Sequence, residues 1–124
     1  MVLRLLTGEP AKQARRAERF LREAEEAEEA VHVSDLVVVE AYHALVFHYQ
    51  VPKREARRQL LSMLTSRLVR AEPDGVAVEA LVDARAGRVG VTDHFIRRRY
   101  MAHSVQTVTL DVPLGKLPGT RLLE

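Results

Sequence analysis

The sequence predicts an α/β fold for residues 1–124, and three features lead to that prediction. Long segments with helical periodicity alternate with short β-branched runs, which is typical of domains that pack helices on a sheet. No repeat or linker-like stretch interrupts the chain, so we expect a single domain. The hydrophobic fraction of 47% and the charged fraction of 29% are those of an ordinary globular protein.

The composition excludes several classes of function. The chain has no cysteine, which rules out disulfides, thiolate catalysis and cysteine-ligated zinc. The apolar run at residues 1–6 is too short for a secretory signal, and no apolar stretch is long enough to cross a bilayer. We therefore expect a soluble cytoplasmic protein with no membrane partner.

The basic residues are sixteen arginines and only three lysines. The planar guanidinium group of arginine matches the geometry of phosphate oxygens, so the excess of arginine over lysine favours a nucleic-acid-binding surface. A G+C-rich genome would produce the same bias through its codons, and both interpretations stay open.

Helices are predicted to dominate the first half of the chain. Residues 1–6 are short and apolar and fit either a strand or a first helical turn. Residues 35–49 are apolar almost all round, which predicts a buried helix that begins after an N-cap at Ser34. The other predicted elements are helices over residues 11–30 and 51–66 and a strand over residues 31–33.

The second half alternates strands and helices more evenly. An edge strand is expected over residues 67–71, and a helix over residues 73–86 that ends at Gly87. Thr92 is predicted to cap a helix over residues 93–102. The remaining predicted elements are a strand over residues 106–110, a loop around residues 113–119 and a short strand over residues 120–123.

Glu40 is the most informative residue because it interrupts an apolar helix. A buried carboxylate is costly unless it is paired or bound to a metal. Three interpretations follow: Glu40 reaches solvent through a gap in the apolar surface of the helix, it pairs with a nearby arginine, or it lines a functional site. His43, three residues on, completes a Glu-x-x-His pattern, but a di-iron bundle would need a second copy. A packed helix histidine is the simpler interpretation.

Two aspartates add to Glu40. Asp111 follows the predicted strand over residues 106–110, and ligand sites of α/β sheets cluster at the carboxyl ends of strands. It would equally serve as a turn or cap residue. Asp93 begins a helix, where a negative charge also has a purely structural role. Together the three carboxylates suggest a hard cation such as magnesium acting on a phosphate-bearing substrate.

Several segments, in order along the chain, resemble motifs of PIN-domain proteins of the VapC toxin type. Residues 3–10 (LRLLTGEP) resemble the first helix and turn of that family, and residues 33–40 (VSDLVVVE) resemble the segment that carries its glutamate. Residues 91–96 (VTDHFI) and 108–111 (VTLD) resemble its two aspartate motifs. Leu117-Pro118-Gly119 resembles the tripeptide that follows. The chain is therefore similar to this family over nearly its whole length.

The resemblance implies a PIN-like fold, with a parallel sheet flanked by helices on both faces. It implies a metal-dependent endoribonuclease that uses Mg²⁺ or Mn²⁺ to cut RNA. It also implies the toxin of a toxin–antitoxin pair, with a cognate antitoxin as partner and a homodimer as assembly. By motif, Glu40, Asp93 and Asp111 are the catalytic and metal-binding carboxylates, and Thr109 is a helper near the metal.

The start of the chain departs from the family pattern. Relatives open with a central strand that ends in an aspartate, whereas this chain opens at the helix that follows, so the first acid is absent. We expect the first central strand to be missing or replaced by residues 1–6. A start codon assigned too late, a shifted strand and a decayed relative are the three explanations. We therefore expect at best weak metal binding and little or no ribonuclease activity from residues 1–124.

A second function class competes with the enzyme. The alternative is a non-catalytic PIN-like module that binds RNA or a partner protein. The basic run Arg97-Arg98-Arg99 would then contact phosphates. The same run would equally form a solvated helix face.

Overall fold

A computed structural model describes residues 1–124 and confirms the mixed α/β character that the sequence predicts. The chain divides into two compact units, Met1–Pro73 and Asp74–Glu124. The strands form two separate two-stranded sheets, one in each unit, and both pairs are parallel. The expectation of one domain over residues 1–124 stays a prediction.

The first unit contains four helices and two strands. β1 pairs with β2 so that Val31 lies opposite Val69 and Val33 opposite Ala71. In chain order the elements are α1 (Val2–Thr7), α2 (Ala11–Glu26), β1 (Val31–Val33), α3 (Asp35–His43), a π-helical turn (Ala44–His48), α4 (Lys53–Leu64) and β2 (Val69–Ala71).

Residues 1–6 do not replace a strand, so that alternative is wrong. The segment forms α1, which packs against α2 and α3. Leucine and arginine are good helix formers, and Gly8 ends the helix in the left-handed conformation at φ 70°. The N–H of Gly8 donates to the carbonyl of Arg4 at 3.0 Å, which satisfies one of the last helical carbonyls.

The predicted cap of α3 is confirmed, because the Ser34 hydroxyl accepts a hydrogen bond from the N–H of Val37 at 3.2 Å. The expectation that this helix is buried almost all round is wrong: Leu36 is 79% exposed and Phe47 72% exposed. One face is buried through Val38, Ala41, Tyr42 and Leu45. A continuous apolar sequence does not show which faces of a helix the rest of the fold covers, and here packing on α4 and α1 covers only part of it.

The second unit contains three helices and two strands, and α5 packs against α6. Thr92 does not cap α6 as expected. The helix begins two residues earlier than predicted, at Val91, with Gly90 as its N-cap, so Thr92 lies inside the first turn. The elements are α5 (Ala77–Asp83), α6 (Val91–Ala102), β3 (Thr107–Thr109), α7 (Val112–Gly115) and β4 (Thr120–Leu122).

Gly119 precedes β4 at a point where both backbone conformation and space require glycine. Its φ is +77°, and a Cβ there would lie 2.6 Å from Cγ of Met101. Gly87 has nearly the same φ of +80° but has no neighbouring atom in the way. The two positions therefore separate backbone strain from steric conflict.

We expect Gly119→Ala to lower the free energy of unfolding by about 2 kcal/mol, because left-handed backbone strain and the contact with Met101 add. Gly87→Ala should cost only about 1 kcal/mol, since strain acts there alone. Urea unfolding of both variants checks this. Equal losses at the two positions would show that Met101 moves aside without cost.

Candidate functional site

Glu40 lies on the exposed side of α3, not in its core. It forms no ion pair, so the interpretation of a structural arginine partner is not supported. Leu36, His43 and Phe47 occupy the same side of the helix at spacings of four, three and seven residues from Glu40. His43 stacks on Phe47 with ring centroids 5.8 Å apart, as expected for a packed helix histidine. Glu40 is thus a lone carboxylate within an exposed apolar stripe.

Asp111 lies two residues beyond the carboxyl end of β3. Its Oδ2 accepts a hydrogen bond from the N–H of Leu114 at 3.0 Å, which makes Asp111 the N-cap of α7. The N–H of Asp111 itself donates to the Thr109 hydroxyl at 2.9 Å. The carboxylate is exposed and has no cationic partner. Asp111 therefore caps α7, as one of the two interpretations expected, and its negative charge has no cationic partner.

Asp93 lies in the first turn of α6, as expected, and is partly buried. It takes part in no ion pair. A carboxylate in this turn interacts favourably with the helix dipole. Asp93 thus resembles Asp111 in combining a local structural role with an uncompensated negative charge.

The three carboxylates are distributed over both units. Glu40 belongs to the first unit, and Asp93 and Asp111 belong to the second. Within neither unit do three or more aspartate, glutamate or histidine side chains gather in a way that would hold a metal ion. The convergence of Glu40 with the two aspartates stays a prediction.

Sequence reasoning missed an acidic pair at the carboxyl edge of the first sheet. The N–H of Asp35 donates to Oε1 of Glu72 at 2.9 Å, which links the residues that follow β1 and β2. Asp35 is almost completely buried. The two residues are 37 positions apart, and only the parallel pairing of β1 with β2 brings them together.

A second feature that the sequence did not reveal is an ionic network around Asp83. Its Oδ2 accepts hydrogen bonds from Nη2 of Arg97 and from Nε of Arg98, both at 2.6 Å. Its Oδ1 accepts a third from Nη2 of Arg98 at 2.9 Å. Arg97 also donates to the carbonyl of Pro118 at 3.1 Å. The packing of α5 on α6 creates this network, and local sequence carries no signal for it.

This network corrects the interpretation of the run Arg97-Arg98-Arg99 as one surface. Arg97 is only 3% exposed and Arg98 is partly buried, whereas Arg99 is exposed. Consecutive helix positions point in different directions, so three adjacent arginines do not share a face. The interpretation of this run as one phosphate-contacting surface is therefore wrong. The alternative interpretation, a fully solvated helix face, is wrong as well.

His94 is buried beside this network. Burial lowers the pKa of its ring below the ordinary value of 6.5, and the positive charge of Arg97 lowers it further. Nη2 of Arg97 lies 3.4 Å from Nδ1 of His94. Because the guanidinium can only donate, Nδ1 accepts and the proton of the neutral ring is on Nε2.

We expect acid to destabilise the protein through His94. As the pH falls through 6.5, the unfolded chain binds a proton that the folded state does not, so the free energy of unfolding falls. His94→Asn keeps an acceptor for Arg97 and removes the titration. Between about pH 7.5 and about pH 5.5, the melting temperature of this variant should drop less than that of the wild type. His103→Asn, at an exposed position in the same unit, should keep the wild-type drop, and an unchanged drop in His94→Asn would contradict the account.

Comparison with known protein families, with characterised proteins and with solved structures found no match to the chain. None of the helices combines the length and apolar character that crossing a bilayer requires.

Proposed function

We propose that the protein is a metal-dependent endoribonuclease of the PIN-domain, VapC toxin type. The observation that carries the proposal is Asp111: its exposed carboxylate, which has no cationic partner, lies just beyond the carboxyl end of a strand in a parallel pair. That end of parallel strands is where α/β proteins bind ligands. The motif resemblances around Glu40 and Asp93 add two further carboxylates without cationic partners.

The donor set fits a hard cation. Glu40, Asp93 and Asp111 supply carboxylate oxygens, which are the ligands that Mg²⁺ and Mn²⁺ prefer, with water or phosphate oxygens completing the shell. A bound cation supplies polarisation of a phosphoryl oxygen and an activated water near neutral pH. In a chain with sixteen arginines, the absence of an ion pair at all three acids leaves their charge available.

Asp111 would combine two tasks. Its Oδ2 already caps α7, which fixes the orientation of the side chain. The hydrogen bond from its N–H to Thr109 holds the backbone of the strand end in place. Such fixing matters because small displacements of a catalytic group reduce rates by about 100-fold. Thr109 is thus a positioning residue in this proposal.

The proposal extends to partners and location. A toxin of this type acts in the cytoplasm on RNA, binds a cognate antitoxin and forms a homodimer. Leu36 in α3 and Phe47 in the π-helical turn are exposed apolar side chains on the same side of this helical segment, and they support a protein partner because exposed apolar surface marks interaction sites. The same surface favours the alternative function, a non-catalytic PIN-like module that binds a partner protein or RNA.

The test is cleavage of an end-labelled RNA by the purified protein with Mn²⁺ or with a chelator, together with RNA binding on a native gel. Slow cleavage that needs the metal is expected, since only three carboxylates contribute to the proposed site. RNA binding without cleavage would favour the non-catalytic module. Cleavage that persists in the chelator would contradict a metal-dependent mechanism.

A further inference from the structure

A cavity of about 840 Å³ opens within the second unit, and neither Asp93 nor Asp111 lines it. Its walls come from the loop after α5, the inner side of α6 and the segment around α7. This volume is in the range of small-molecule sites, which span about 300 to 1,000 Å³. The charged residues that line it are Asp83, Arg88, Arg97, Arg98 and Lys116.

The lining has a clear excess of positive charge. Four cationic side chains face one acid, and that acid, Asp83, is already bonded to Arg97 and Arg98. Arg88 and Lys116 are exposed and form no ion pair. The four cations and the one carboxylate give these five side chains a net charge of +3, so the cavity favours an anion of more than one charge.

Two buried N–H groups strengthen this preference. Nε of Arg97 and Nε2 of His94 are shielded from solvent and have no hydrogen-bond partner. Both residues contribute to the cavity wall. Because both atoms are shielded, they do not reach a ligand directly, and they contribute only positive potential behind the cavity wall.

The rest of the lining is apolar. Val89, Met101, Val112 and Leu117 provide surface that would cover a flat ring. An inorganic anion would leave this surface unused, whereas a nucleotide fills it with base and ribose while its phosphate meets the cations. Arginine forks also match phosphate oxygens in geometry.

We propose that this cavity binds the terminal phosphate monoester of a nucleotide, with Arg88 and Lys116 contacting the phosphate and the apolar wall covering the base. Two kinds of ligand contain such a phosphate monoester: a free nucleoside monophosphate and the phosphorylated end of an RNA strand. The proposal is independent of metal-dependent cleavage and survives if the protein is not a nuclease.

The experiment is an NMR titration of the full chain with AMP, adenosine and inorganic phosphate, in a chelator so that no metal site contributes. AMP should shift the amide signals of residues 86–89 and 112–117, and adenosine should shift them far less. Arg88→Gln and Lys116→Gln should each weaken AMP binding about tenfold, the worth of one charge-assisted hydrogen bond. Arg85→Gln, an exposed arginine outside the cavity, is the matched control and should bind like the wild type.

A 5′-phosphorylated RNA oligonucleotide and its 5′-hydroxyl counterpart distinguish the two sources. Tighter binding of the phosphorylated oligonucleotide than of AMP identifies an RNA end, and the reverse order identifies a free nucleotide. Equal binding of AMP and adenosine, or AMP shifts confined to residues outside the cavity, would overturn the proposal. Binding of a glutamate-rich peptide at the cavity, without any binding of AMP, would also overturn the proposal. The wild-type map decides the question even if a variant fails to fold.

Discussion

Asp83→Asn is expected to lower the free energy of unfolding by about 3 kcal/mol. The variant keeps the size of the side chain but removes the carboxylate that forms ion pairs with both Arg97 and Arg98. Arg97 is almost completely buried, so its guanidinium would be left as an uncompensated charge away from water. Urea unfolding followed by circular dichroism measures the loss.

Glu55→Gln is the matched control for this variant. It also removes the acid of an arginine–carboxylate contact, the pair of Glu55 with Arg58, but this pair lies at the surface of α4. Exposed ion pairs contribute little because water screens them. The control should therefore unfold like the wild type. A similar loss of unfolding free energy in both variants would show that burial does not explain how the Asp83 network stabilises the protein.

Asp111→Asn is expected to reduce metal-dependent RNA cleavage by at least about 100-fold, to the background of the assay. Asparagine is as good an N-cap as aspartate, so the hydrogen bond to the N–H of Leu114 and the start of α7 are kept. Only the charge that would hold the cation is lost. Asp93→Asn should have an effect of similar size for the same reason.

Asp74→Asn is the control for the two aspartate variants. Asp74 is an exposed aspartate in the same unit, and its left-handed backbone at φ 61° is one that asparagine also tolerates. This variant should cleave at the wild-type rate. If Asp111→Asn cleaves as fast as Asp74→Asn, Asp111 is a cap and nothing more.

Local signals in the sequence predicted some elements well. The Ser34 cap and β1 lie where side-chain chemistry and a β-branched run place them, because these features depend on neighbours in sequence, and β4 lies within the strand predicted over residues 120–123. The mixed α/β class followed from the alternation of such segments. The conformation of residues 1–6 stayed ambiguous because a short apolar run fits either a strand or a helix.

What the sequence could not show depends on contacts between distant residues. The Asp83 network joins positions 14 and 15 residues apart across two helices, and the cavity exists only because α6 and α7 enclose it. The exposed side of α3 is apolar, so hydropathy predicted burial where the fold provides no cover. For the candidate site, sequence motifs identified Glu40, Asp93 and Asp111, and the structure describes their local roles and their lack of ionic partners.

The central claim is that Glu40, Asp93 and Asp111 hold one metal ion, and Mn²⁺ broadening of NMR signals tests it most directly. A bound Mn²⁺ ion broadens nearby amide signals even when binding is weak, so a titration shows which residues surround it. We expect the signals next to all three acids to broaden together at low Mn²⁺, with Mg²⁺ as the diamagnetic reference. Glu40→Gln should weaken the effect at all three places. Broadening near Asp93 and Asp111 that leaves the signals around Glu40 unchanged would contradict the shared site.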